Sequence, residues 1–146
     1  MKQEVMSDFK KILAVDYGDV RTGLAVSDSL GMMAGGIGTV KAKGMHDLCE
    51  IVKAEAEKNK CGKIIIGDPV NMNGTRGPRS EKAHLFADFL REVTDIPVEL
   101  YDERCSTMVA HTYLNATNTH GKKRKDVVDT LSAQIILQDY LDSRKN

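Results

Sequence analysis

The chain of 146 residues has no apolar run of roughly 18 residues, and no positively charged start leads into an apolar stretch. Neither a membrane span nor a secretory signal is expected, and the cytoplasm is the expected compartment. Cysteine is scarce and odd in number. Cys49, Cys61 and Cys105 lie far apart with no Cys-x-x-Cys spacing, which argues against a disulfide framework and a zinc site and predicts reduced, mostly buried thiols. Net charge is missing as well: 21 Lys and Arg balance 21 Asp and Glu. Bulk positive charge therefore does not hold nucleic acid here, and only a local concentration of charge could. No internal repeat or low-complexity tract occurs. What remains is a 41% hydrophobic, 29% charged chain of a size for one compact domain over residues 1–146, with the polar residues 1–9 as a loose leader.

Periodicity predicts the element order. Lys11-Ile-Leu-Ala-Val-Asp16 and Arg21-Thr-Gly-Leu-Ala-Val-Ser27 are short apolar runs joined by Tyr17-Gly-Asp-Val20, and they read as a hairpin. A glycine-rich piece, Gly31 to Gly38, leads into a third strand, Ile37-Gly-Thr-Val40. Leu48, Ile51, Val52 and Ala56 then recur at helical spacing, and Lys63-Ile-Ile-Ile66 is a buried strand ending at Gly67. Asp68 to Pro78 reads as loop, and a helical face returns with Ala83, Phe86, Phe89, Leu90 and Val93. Val98 to Glu103 alternates as a strand, Met108 to Leu114 reads as a short helix, and Asp126 to Leu141 as a long amphipathic one after a polar stretch. The order β-β-β-α-β-α-β-α-α predicts an α/β fold of the ribonuclease H type. Its mixed sheet has three antiparallel strands first, then parallel strands, with helices on both faces.

Three acids fall at element ends: Asp16 closes the first strand, Glu103 closes the last beside Asp102, and Asp129 lies one turn into the final helix. Strand ends open on the sheet edge where ligands bind in open α/β folds, and a helix crossing that edge could bring the third carboxylate. Clustered carboxylates repel unless a cation joins them, and an all-oxygen set points to Mg2+ or Mn2+. Such a centre suits metal-assisted phosphodiester cleavage. Asp16-Tyr-Gly-Asp-Val-Arg-Thr-Gly23 could bring backbone N–H groups to a phosphate, although Gly18 and Asp19 equally suit an ordinary hairpin turn. The stretch Gly67 to Arg79 offers Asn71, Asn73 and Arg76 to a nucleic acid. Lys122, Lys123, Arg124 and Lys125 concentrate positive charge beside Asp129: taking these four from the basic residues leaves 17 against 21 acidic ones. Met32-Met33 reads as loop packing, Cys105 as a buried small hydrophobe, and His46, His84, His111 and His120 show no ligand spacing.

Four ordered motifs together resemble the YqgF/RuvX family of bacterial ribonuclease H-like proteins. They are Asp16-Tyr-Gly…Arg21-Thr-Gly-Leu-Ala-Val-Ser-Asp28, Gly67-x-Pro-x-Asn-Met-x-Gly-Thr-x-Gly-Pro78, Asp102-Glu-Arg-x-Ser-Thr107, and Lys123-Arg-Lys-x-Val-Val-Asp129 with Ala133 and Ile136-Leu-Gln-x-Tyr-Leu-Asp142. The resemblance runs from about Ile12 to Asp142 and implies that Asp16, Glu103 and Asp129 are the metal-holding catalytic acids, with Arg104 beside them on the nucleic acid. Alternation sets Asp102 and Glu103 on opposite faces, so Glu103 is expected at the metals and Asp102 as a helix cap or outer support. Asp68 stands where the family usually has an apolar residue and is expected to add an acid to the binding loop; Cys105 stands where it usually has Leu. The family implies a nuclease trimming the 5′ end of precursor 16S ribosomal RNA or, second, a resolvase of four-way DNA junctions. The partners would be structured RNA or branched DNA, with no membrane, and the chain a monomer or a homodimer. A third reading, from another class, is a nucleic-acid or nucleotide-binding module that does not cut.

Overall fold

The computed structural model describes residues 10–71, 73–103 and 122–144, with 122–129 described as helical backbone. Its strands are β1 (Lys11–Asp16), β2 (Thr22–Ser27), β3 (Ala34–Val40), β4 (Cys61–Asp68) and β5 (Val98–Asp102). Its helices are α1 (Met45–Lys58), α2 (Pro78–Val93) and α3 (Lys122–Arg144). One sheet has the order β3-β2-β1-β4-β5. The pairs β1–β2 and β2–β3 are antiparallel, while β1–β4 and β4–β5 are parallel and joined through α1 and α2. This is the mixed sheet that short hairpin turns followed by helical crossovers produce.

Strand alternation sorts the core into two layers. Leu13, Val15, Ile64 and Ile66 pack with Leu48, Val52, Phe86 and Leu90 of α1 and α2. On the other face Ile12, Ala14, Ala25 and Ile65 meet Ala133, Ile136, Leu137 and Tyr140 of α3. Strands buried on both faces explain the continuous Ile64-Ile-Ile66 run, which an amphipathic edge strand would not tolerate.

Four boundaries differ from the sequence reading. β3 starts at Ala34, three residues before Ile37, because α3 packs directly on its glycine backbone: a Cβ on Gly36 would stand 2.6 Å from Thr130 Cγ2. Close approach, and not a turn, accounts for that glycine. α3 starts at Lys122, four residues before Asp126; Lys and Arg are good helix formers, so a polar basic run here is helix and not connection. β4 continues through Gly67 and Asp68, and β5 stops at Asp102. Met32 and Met33 do not pack: they are 48% and 63% exposed, and their loop is tied by its backbone, the Met32 carbonyl accepting from Gln138 Nε2 at 3.0 Å. Gln138 Oε1 accepts from the Ala34 amide at 2.9 Å, and Gln134 Nε2 donates to the Ala34 carbonyl at 3.2 Å. The short helix expected over Met108–Leu114, and Cys105, lie outside the described residues.

Cys49 and Cys61 are buried and free, as expected. Burial pushes both thiols up to about 11. At pH 8 they therefore resist alkylation in the native protein and react once it is denatured, as peptide mapping after iodoacetamide would show; native labelling at the denatured rate would refute the burial. Because the folded thiols hold their protons where unfolded thiols would ionise, their stabilising share is complete below about pH 9 and is lost as pH rises towards 11.

Candidate active site

The parallel strands β1, β4 and β5 end on one edge of the sheet, and alternation decides which acids meet there. Asp16 continues the series Ile12 and Ala14 on the α3 face. Glu103 continues Glu99 and Tyr101, whose side chains reach α3: Tyr140 donates to Glu99 at 3.4 Å and Tyr101 donates to Asp139 at 2.7 Å. Asp102 follows Val98 and Leu100 towards α1 and α2 and is exposed. Glu103 is 9% exposed. The two neighbouring acids thus take opposite faces, as strand alternation expects.

Between Asp16 and Glu103 stands Gly67 of β4. Val15 pairs with Ile66, so the next step sets Asp16 beside Gly67, about 5 Å away across the parallel pair. A Cβ on Gly67 would stand 2.9 Å from Glu103 Cγ and 2.7 Å from Ile136 Cδ1. The missing side chain is the space over which Glu103 lies. The Glu103 amide donates to the Asp68 carbonyl at 3.1 Å, which fixes the chain just beyond β5. Asp129 is carried by α3, four residues before Ala133 and seven before Ile136, the helix residue nearest Gly67. Its side chain is outside the description, as are those of Arg104 and Lys122–Lys125. Among the described residues no three His, Cys, Asp or Glu side chains are grouped to hold a metal ion; Asp129 is not in that count.

The turn after Asp16 is held from the opposite face. Tyr17 stacks on Phe86 with ring centroids 5.4 Å apart. The Gly18 amide donates to Thr22 Oγ1 at 3.3 Å, and a side chain on Gly18 would collide with the Arg21 carbonyl. Lys82 of α2 pairs with Asp19 at 2.9 Å. These contacts fasten the first strand's end to α2, so the position of Asp16 is set by packing and not by loop flexibility.

The stretch from β4 to α2 is a structured loop. The Asn71 amide donates to the Thr75 carbonyl at 2.9 Å, and Gly74 donates back to the Asn71 carbonyl at 2.8 Å. Asn71 Nδ2 donates to Thr75 Oγ1 at 3.0 Å, while Asn73 Oδ1 accepts from Thr75 N at 3.0 Å and from Thr75 Oγ1 at 2.7 Å. Both asparagines thus use part of their hydrogen-bonding capacity on the loop's own shape. Arg76 is exposed, with Nε donating to Ser80 Oγ at 3.1 Å.

Asp68 requires a correction. It does not add an acid to the binding loop: it is the last residue of β4, 8% exposed, and its side chain is directed to α2, on the face opposite that of Glu103. Its carboxylate accepts from Ser80 Oγ at 2.5 Å and pairs with His84 Nε2 at 2.8 Å. Strand alternation after Ile66 could have shown this, had β4 been continued past Gly67. Gly67 at the end of the Lys63–Ile66 run has the pattern of a strand terminator. A glycine amid Ile-Ile-Ile and Asp is also the signal of a close approach.

No described helix is long and apolar enough to cross a membrane. A family model described as "RuvX: Holliday junction resolvase" matches residues 10–143. A protein of Halothermothrix orenii named "Putative pre-16S rRNA nuclease" is 44% identical over 132 residues, covering 90% of this chain and 94% of its own length. A protein of Clostridioides difficile with the same name is 43% identical over 136 residues, covering 93% and 96%. Two solved structures share the fold at low identity. The fowlpox virus resolvase in complex with Holliday junction DNA has a TM-score of 0.56 at 10% identity over 93% of this chain and 99% of that one. RuvC of T. thermophilus with a Holliday junction substrate has 0.53 at 12%, over 94% and 96%. The architecture is ribonuclease H-like, and, with sequence likeness continuous over nine-tenths of its length, the chain belongs to the RuvX family.

Proposed function

We propose that this chain is a metal-dependent nuclease that hydrolyses phosphodiester bonds at the C-terminal edge of its sheet, with precursor 16S ribosomal RNA as the preferred substrate. The observation that carries this reading is Gly67: Glu103 lies over it, the strand register sets Asp16 beside it, and the helix that bears Asp129 packs on the same face. No histidine or cysteine among the described residues stands on that face at that edge: His84 and His46 sit on α2 and α1, and Cys49 and Cys61 belong to the other core layer. An oxygen-only donor set fits Mg2+ or Mn2+, held by Asp16, Glu103 and Asp129. Such ions supply activation of the attacking water and charge compensation at the leaving oxygen. The chain's own part is to hold three carboxylates on rigid elements and to bring phosphates to them.

Arg76, Asn71 and Asn73 of the loop, Arg104, and Lys122, Lys123, Arg124 and Lys125 are the residues assigned to the nucleic acid. The basic tract supports this assignment electrostatically. α3 opens on four cations with no acid in its first turn, which sets positive charge on the positive end of the helix dipole, at about 0.3–1 kcal/mol per charge. A phosphate backbone relieves that repulsion. The RNA is placed first because relatives above 40% identity bear that name, and junction DNA second because the family description and the fold's resolvases point there.

Incubation with a 5′ precursor 16S fragment and with a four-way DNA junction, each with Mg2+, Mn2+ or chelator and beside Asp16→Asn, tests the reading. Metal-dependent cutting of the RNA that is lost in Asp16→Asn is expected. Cutting that persists in chelator would falsify the metal mechanism; cutting of the junction alone reverses the order of substrates; binding without cutting makes the chain a binding module.

A further inference from the structure

We propose that the Asp68 carboxylate is a positioning residue for the substrate loop: through Ser80 it holds Arg76 at the edge where the phosphodiester is cut. The substrate arm of this inference rests on the nuclease reading; the hydrogen-bonded relay does not.

Asp68 is nearly enclosed, and both carboxylate oxygens are engaged: Oδ1 by Ser80 Oγ at 2.5 Å and Oδ2 by His84 Nε2 at 2.8 Å. A buried carboxylate is tolerated only when so satisfied. Ser80 is fully buried, and its hydroxyl has one proton to give. With that proton directed to Asp68, an oxygen lone pair is left for Arg76 Nε at 3.1 Å. The relay runs from anion through hydroxyl to cation, an order in which each hydrogen bond polarises the next. Arg76 is itself exposed, and among the described residues it is held through Nε alone. Its guanidinium is anchored on one side and presents its remaining donors to solvent in the planar fork that suits a phosphate.

The same residue fixes the loop at its other end. The Asp68 carbonyl accepts from Val70 at 2.8 Å and from the Glu103 amide at 3.1 Å. Ser80 and His84, four residues apart on α2, are held together by the carboxylate, so the start of that helix is clamped to the end of β4. The main chain of Asp68 thus locates Glu103 while its side chain locates Arg76, and the spacing between the cutting acid and the phosphate-binding arginine is set from one point. Loop flexibility would otherwise tax substrate affinity by the ordering of a long side chain.

Binding is read by fluorescence anisotropy in an Asp16→Asn background, with a structured precursor-RNA fragment and a four-way DNA junction as probes. Ser80→Ala and Arg76→Ala are each expected to weaken binding roughly tenfold, and the double variant no more than the stronger single one. Asp68→Ala, which removes the acceptor of the Ser80 hydroxyl, is expected to weaken binding by a similar factor, and Asp68→Asn, which keeps an acceptor at Oδ1, to restore most of it; an Asp68→Ala variant that binds like the parent overturns the proposal. With Asp16 restored, the Ser80→Ala loss is expected in KM and not in kcat. Additive effects, or a loss in Arg76→Ala unmatched in Ser80→Ala, overturn the proposal. The Arg76 Nε–H signal in NMR gives an arm independent of substrate: slow exchange in the parent and fast exchange in Ser80→Ala supports the relay, and fast exchange in the parent overturns it. A parent that binds neither probe while its Arg76 Nε–H stays protected defeats the nuclease reading, and the substrate arm with it, but leaves the relay standing.

Discussion

Replacing Asp16 by Asn or Glu103 by Gln is expected to lower phosphodiester cleavage by roughly three orders of magnitude or more, a loss of about 4 kcal/mol of transition-state stabilisation. An amide keeps the shape of the carboxylate but gives up the charge that offsets a divalent cation. Glu103→Gln is an informative exchange because Glu103 Cγ lies in the space over Gly67: the isosteric amide retains that packing, so stability should scarcely change while the rate collapses. Nucleic-acid affinity should stay within about twofold of the parent, since phosphate contacts to basic side chains carry it. Asp102→Asn is the control. Its side chain belongs to the opposite face, so single-turnover cleavage should stay within about threefold of the parent, as a surface change permits. Rates within tenfold of the parent for Asp16→Asn, or equal losses at Asp102 and Glu103, would remove the assignment of the site to the α3 face.

Gly67→Ala should cost cleavage about a hundredfold while destabilising the protein by only about 1–3 kcal/mol, the usual penalty of one added methyl group in a packed region. The new Cβ meets two groups, Ile136 Cδ1 at 2.7 Å and Glu103 Cγ at 2.9 Å, both closer than real Cβ contacts allow. The first clash is structural and can be relieved; the second moves a carboxylate. Adding Ile136→Val to Gly67→Ala should therefore recover much of the lost melting temperature and little of the activity. If cleavage returns together with stability, Gly67 serves packing alone and the spacing of the two acids does not depend on it.

The sequence reading succeeded where one periodicity covered a whole element. β1 was delimited at both ends because Lys11 and Asp16 flank an unbroken apolar run, and α2 was found from Ala83, Phe86, Leu90 and Val93. The mixed sheet followed from short connections among the first strands and helical ones thereafter. Readings failed where tertiary packing overrode local composition. Gly36 looks like loop because the helix that lies on it is about a hundred residues further along the chain, where Thr130 and Gln134 make the contact. Asp68 looks like a loop acid only while β4 is ended at Gly67: alternation then gives its face, but its partners Ser80 and His84 come from the helix beyond the loop. The opposition of Asp102 and Glu103 was legible, since strand alternation is a purely local rule. What alternation could not supply was the glycine between Glu103 and Asp16, which depends on which strand is inserted between β1 and β5.

The glutamines of α3 bear on how copies of this protein behave towards each other. A formal charge of zero gives them little mutual repulsion, the condition in which sheet edges most readily adhere. At one edge Gln138 and Gln134 occupy the amide and carbonyl of Ala34 that a foreign strand would otherwise engage. At the other, β5 is only five residues long and carries Glu99 and Asp102. α3 is therefore a guard against aggregation as well as the carrier of Asp129: a chain in which it fails to dock displaces Asp129 from the sheet and uncovers a strand edge in the same event. Misfolded copies would then be removed from solution rather than persist as poorly discriminating nucleases.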